Sequence, residues 1–175
     1  MSAEASKALE VITGTSRFGT TAAKSTVAQA ATVLATSWPV PTTGTGRGDI
    51  CRVYTAADEV DFPLRVTWRL VDGPPTGAPA PNFTVLKMGE ETLAAVDKAY
   101  VQFACRSGKL GGLTTDVHVV IGVEHWDVPK EPEGDAKALK DAYATVAHSF
   151  SLAMAKELRC EENGGLPAKP VLEPA

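Results

Sequence analysis

DAKALKDAYATVAHSFSLAMAKELRC, residues 135–160, is the stretch around which the rest of the chain is organised. Leu139, Tyr143, Val146, Phe150, Ala153, Met154 and Leu158 follow one another at steps of three and four, the spacing that keeps side chains on one face of a helix. Asp135 after Gly134 is a good N-cap, and Asn163-Gly164 followed by Pro167 is a good stop. At ~1.5 Å per residue such a helix runs roughly 35 to 40 Å, enough to cross a whole sheet of a small domain. The remaining sequence must supply the surface it covers.

The segment before it supplies the clearest part of that surface. Thr115 to Trp126 alternates, with Val117, Val119, Ile121 and Val123 on one face and His118, Val120, Gly122, Glu124 and Trp126 on the other. Leu64 to Leu70 does the same, setting Leu64, Val66, Trp68 and Leu70 against Arg65, Thr67 and Arg69. Ala99 to Cys105 alternates again, and Ile50 to Thr55 and Phe83 to Leu86 read as further strands. Glu90 to Val96 fits helix or strand. Nearer the N-terminus, Ala5 to Ile12 reads as a short helix stopped at Gly14. A second helix, capped by Thr21, carries Ala23, Val27, Ala30, Leu34 and Trp38 and ends at Pro39 and Pro41. Thr42 to Asp49, with three glycines, reads as a flexible loop, and Gly73 to Pro81, with four prolines, as the linker-like stretch.

Strands joined by short connections, with helices gathered at the two ends of the sequence, predict an α+β fold: an antiparallel sheet with helices packed on one face. A parallel fold needs a helix after nearly every strand. Residues 1–163 form one domain in this reading and 164–175 a proline-rich tail. Ile50-Cys51-Arg52 before Leu64 to Leu70, and Ala104-Cys105-Arg106 before Val117 to Val123, repeat one pattern, the kind a decayed internal duplication leaves.

The totals narrow the function. A chain of 175 residues can bury a core without relying on disulfides. Its net charge of −4 and pI near 5.4 argue against nucleic acid or an acidic membrane surface as a partner. No apolar run approaches the ~20 residues of a membrane span, and Met1 to Ile12 lacks the basic and apolar regions of a signal peptide. None of the three cysteines stands in a Cys-x-x-Cys pair, so a zinc site has no local nucleus. Three reduced core cysteines are one reading. The favoured one is a disulfide between Cys105 and Cys160, stapling a core strand to the end of the covering helix, with Cys51 left to pair outside the chain.

Motifs for chemistry are thin. Ser107-Gly108-Lys109-Leu110 lacks both the glycine and the hydroxyl residue a phosphate loop needs. Arg47-Gly48-Asp49 matches an adhesion tripeptide of low specificity, and Asn82-Phe83-Thr84 a glycosylation sequon. His118 and His125, seven apart on one strand, point to opposite faces and cannot share a metal, and no cofactor is implied. No serine sits in a nucleophile elbow. The polar second face of the long strands, carrying Arg65, Arg69, His118, Glu124 and Trp126, is the candidate binding surface. The competing reading is a solvated face whose charges pair across strands for well under ~1 kcal/mol each.

AYVQFAC (residues 99–105) and KELRCEENGGLP (residues 156–167) resemble a group of uncharacterised secreted or membrane-anchored proteins of actinomycetes. The resemblance covers the last half of the chain, and its motifs are those of a scaffold: a strand cysteine and a helix-end cysteine. It implies an extracytoplasmic setting and brings no activity. The sequence therefore predicts a non-enzymatic extracytoplasmic domain that binds a protein or a cell-envelope component. Its rivals are a secreted hydrolase-like enzyme with a spatially assembled site and a secreted protease inhibitor presenting Gly73 to Pro81.

Overall fold

The computed structural model describes residues 2–16, 18–20, 26–38, 46–55, 64–125 and 134–175. Its helices are α1 (Ala3–Thr13), α2 (Val27–Ser37) and α3 (Ala136–Leu158). Its strands are β1 (Phe18–Thr20), β2 (Arg47–Thr55), β3 (Leu64–Val71), β4 (Thr84–Leu86), β5 (Glu91–Ala94), β6 (Lys98–Ser107) and β7 (Gly112–His125). The strands form one sheet, every neighbouring pair antiparallel, in the order β1-β2-β3-β7-β6-β5-β4. The predicted α+β architecture is the observed one.

The alternation read from the sequence decides which face is covered. Leu64, Val66, Trp68, Val101, Phe103, Val119, Ile121 and Val123 are all buried in one core with Leu9, Leu34, Tyr143, Val146, Met154 and Leu158 of the helices. α1 and α2 both pack against α3. That explains why α3 is buried more widely than its stripe predicts. Ala142, Ala147, His148, Ser151 and Ala155 are buried beside Leu139, Tyr143 and Val146, while Phe150 and Ala153 are only half-buried.

The caps follow the rules, with shifts in position. Ser2, Thr26 and Asp135 each accept from a first-turn amide of α1, α2 and α3. α2 is capped by Thr26; the predicted cap Thr21, with Ala23, Pro39 and Pro41, lies outside the described residues. α3 ends at Leu158, because Arg159 adopts the left-handed conformation and its amide closes onto Ala155 and Lys156. The end of β6 grips that helix end. Ser107 Oγ donates to the Leu158 carbonyl, Lys109 Nζ donates to the Glu157 carbonyl, and Cys105 is disulfide-bonded to Cys160 with Cα atoms 4.9 Å apart. The discarded phosphate-loop residues thus satisfy carbonyls that a helix C-terminus leaves open.

Two segments differ from the sequence reading, and a third resolves an alternative it left open. β2 begins at Arg47, inside the stretch read as a loop, and Gly48 pairs with Trp68 in the ladder to β3. Glu91–Ala94 is a strand, with Thr92 and Ala94 buried. Residues 164–175, read as a tail, lie against the sheet edge. Pro174 bridges Leu86, Ala175 N–H donates to the Val85 carbonyl, and Val171 and Leu172 pack on Leu86, Met88, Ala94 and Ala144. His148 Nε2–H, held by the Pro167 carbonyl at 2.8 Å, ties this segment to α3. β2 flanks β3 and β6 flanks β7, with Cys105 disulfide-bonded and Cys51 free. Cys51 is a buried thiol pushed up to about 11 by desolvation, a core residue rather than an outward hook.

Candidate functional site

Opposite the helices, the register sets the polar side chains in rungs across the sheet. One rung runs Arg52, Arg65, Glu124, Lys98; the next Asp49, Thr67, Gly122, Tyr100; the next Arg47, Arg69, Val120, Gln102. A further step brings Val71, His118 and Ala104 into line.

The register of β2 shifts between Asp49 and Cys51. Such a bulge lets two residues oppose one and re-aims the strand. Residues three apart in a regular strand face opposite ways. Here Asp49 and Arg52 share the open face and form an ion pair at 3.4 Å, while Arg65 reaches the same carboxylate through Nε at 2.8 Å and Nη2 at 2.6 Å. Asp49 therefore neutralises a pair of arginines that stand opposite each other. In that strand a glycine is required at position 48, where a Cβ would lie 2.7 Å from Trp68 Nε1 and 2.9 Å from Cε2 of an almost fully buried indole.

Arg47, Asp49, Arg65, Thr67, Arg69 and Glu124 line a cavity of ≈ 430 Å³ on this face. Glu124 accepts from the Tyr100 hydroxyl at 3.2 Å. The Tyr100 ring lies over Gly122, where a Cβ would be 3.0 Å from Cε1. Burial first and then Glu124 push the Tyr100 phenol up to about 12, with Arg69 pulling the other way. Tyr100 is therefore a neutral donor at physiological pH.

Of the predicted surface, Arg65, Arg69 and Glu124 are brought together. His118 is not with them. It stands six residues from Glu124 along β7, roughly 20 Å at strand rise, and its Nδ1 is 2.8 Å from Glu90. Trp126 lies outside the described residues. Arg47 and Asp49 were missed because the glycines at 44, 46 and 48 read as a loop; the signal available was the parity of Arg47 and Asp49 within an extended β2.

Half of this face is not open. The chain leaves β3 mid-sheet and enters β4 at the far edge, so residues 72–83 must cross β7, β6 and β5, roughly 19 Å at the usual strand spacing. Gln102 Nε2 donates to the Gly73 carbonyl at 2.9 Å, and Phe83 meets Tyr100 edge-on with centroids 6.0 Å apart. Val120, on the polar face by parity, is accordingly only 2% exposed. Gly73 to Pro81, offered above as an inhibitory loop, is thus anchored to the sheet near both ends, with residues 76–82 exposed.

A second cavity, ≈ 690 Å³, lies at the far end of β6 and β7. There Arg106 donates twice to Asp116, at 3.0 and 3.1 Å, and stands 3.9 Å from Glu161. Among the described residues no group of three His, Cys, Asp or Glu is placed to hold a metal ion, and no helix is long and apolar enough to cross a membrane. Comparison with protein-family models, curated proteins and solved structures finds no match to this chain.

Proposed function

We propose that this chain is a non-enzymatic, extracytoplasmic binding domain that contacts a protein or a cell-envelope component through the uncovered half of its sheet face. The observation that carries the reading is the concentration, among the described residues, of Arg47, Arg52, Arg65 and Arg69 against Asp49 and Glu124, a local surplus of positive charge among those residues on a chain whose net charge is −4. A rigid sheet presenting guanidinium groups around a shallow cavity suits recognition of an anionic surface, since arginine is the cation enriched at binding interfaces. The Cys105–Cys160 disulfide favours an oxidising compartment, where such bonds persist.

Binding of the purified protein to isolated envelope fractions tests the first part, with Arg47→Ala/Arg69→Ala as the comparison. Loss of binding in the double variant supports the face, and undiminished binding rejects it. The compartment is tested by alkylating the denatured, unreduced protein isolated from its own cells. One modified thiol supports export; three would return the protein to a reducing compartment.

A further inference from the structure

The open face contains two like-charged rungs, and among the described residues only one of them is neutralised. Arg52 stands directly opposite Arg65, and Arg47 directly opposite Arg69. Like charges at directly opposed positions destabilise a sheet. At the first rung the bulged strand turns Asp49 into the gap, where it accepts from both guanidinium groups. At the second, no carboxylate among the described residues lies within ion-pair distance of Arg47 or Arg69, and both are exposed at the rim of the ≈ 430 Å³ cavity. Local rules are broken without compensation chiefly at functional sites.

We infer that Arg47 and Arg69 form a binding site for a phosphoryl group carried on a larger cell-envelope molecule. This deepens the proposed function and rests on it for the source of the ligand. The chemistry comes from counting donors. At the first rung the Asp49 carboxylate takes three N–H donors from two guanidinium groups, two from Arg65 on Oδ1 and one from Arg52 on Oδ2. Arg47 and Arg69, with no such carboxylate among the described residues, can offer both forks to one external anion. A tetrahedral phosphoryl group has oxygens on several sides and matches two forks. Asp49 and Glu124 do not repel it strongly, because Asp49 is shared by two arginines and Glu124 accepts from Tyr100 and stands opposite Arg65.

The test is titration of the intact protein with inorganic phosphate, and separately with glycerol phosphate, at constant ionic strength, following the arginine Nε–Hε resonances by NMR, with acetate as the planar control. Saturable shifts at Arg47 and Arg69 with both phosphates and not with acetate are expected. Arg47→Ala and Arg69→Ala should each weaken phosphate binding about tenfold, the scale of one lost charge-assisted contact, while Arg106→Ala, at the other end of β6, should not. Equal shifts with acetate, or shifts with phosphate that survive both substitutions, overturn the proposal, as does an absence of shifts. Binding of inorganic phosphate alone, with none of glycerol phosphate, overturns the larger ligand. Loss of envelope binding in the double variant without any phosphate effect leaves the binding face standing and rejects only this ligand chemistry. Phosphate binding together with unchanged envelope binding keeps the anion site and rejects the face as the envelope contact.

Discussion

The two halves of the polar sheet face are built from the same alternation yet end in different states. Across β6 and the neighbouring part of β7, Gln102 is tied to Gly73, Phe83 lies on Tyr100, Val120 is buried and His118 is paired with Glu90. Across β2 and β3, arginines project into a cavity. Strand parity sets which way a side chain points, and the path of one connection sets whether it meets solvent. The difference extends to the opposite face, where β6 is stapled to the end of α3 through Cys105 while the matching position of β2 holds the free thiol of Cys51.

The largest expected effect would break the rigidity of the covered half. Closing a loop of 55 residues restricts the unfolded chain by about 4 kcal/mol in the chain-entropy view. Cys105→Ala/Cys160→Ala should lower the unfolding free energy by about 2–5 kcal/mol in denaturant titration. Hydrogen exchange should then rise first in β6 and the last turn of α3, because those elements lose their shared anchor. Equal acceleration in β2 would mean that the halves are not mechanically distinct. In the uncovered half the comparable lesion is Gly48→Val. A Cβ there meets an indole that has nowhere to move, so overpacking should cost about 1–3 kcal/mol and disturb the register that places Arg47 and Asp49 on one face. A Trp68 fluorescence spectrum unchanged in the variant would argue against that contact.

Acid sharpens the same contrast from the helix side. Burial holds the His148 imidazole below its ordinary 6.5, opposed by its bond to the Pro167 carbonyl and by Glu4. The unfolded chain then takes up a proton that the folded chain resists, so stability is present above about 6.5 and falls as the pH drops through the ordinary value toward the lowered folded one. His148→Gln should flatten the fall between pH 7 and 5 in denaturant midpoints. The carbonyl of Pro167 belongs to the segment that docks on β4, so hydrogen-exchange protection at Val171 and Ala175 should fall on acidification before that of β2.

How much of this was legible depended on whether a feature is local. The stripe of α3, the alternation of β3 and β7 and the cysteine positions are written in nearby residues, and from them came the sheet, its covered face and the staple at Cys105 and Cys160. Arg65, Arg69 and Glu124 were found because parity alone places them. Arg47 and Asp49 were lost because glycine density outweighed a short alternation, and because a bulge changes parity at a point that no composition marks. The crossing of residues 72–83 and the docking of 164–175 follow from strand order, a long-range property. Proline content marked both segments as irregular, but it does not say where such a segment lies.

The smallest effects bear most directly on the uncovered half, because there two rungs of one ladder predict opposite signs. Asp49→Ala removes the carboxylate that Arg52 and Arg65 share, so it should destabilise by roughly 0.2–1 kcal/mol. Arg69→Ala removes one member of a pair that has no carboxylate among the described residues, so it should be neutral or stabilising within the same roughly 0.2–1 kcal/mol. These side chains are partly solvated, and salt separates the two cases further. Raising ionic strength shortens the screening length from ~10 Å at 0.1 M to ~3 Å at 1 M. It should therefore shrink both effects toward zero from opposite sides. If both substitutions destabilise and neither responds to salt, the arginines act through the packing of their aliphatic stems, and the charge asymmetry between the rungs is not what the fold maintains.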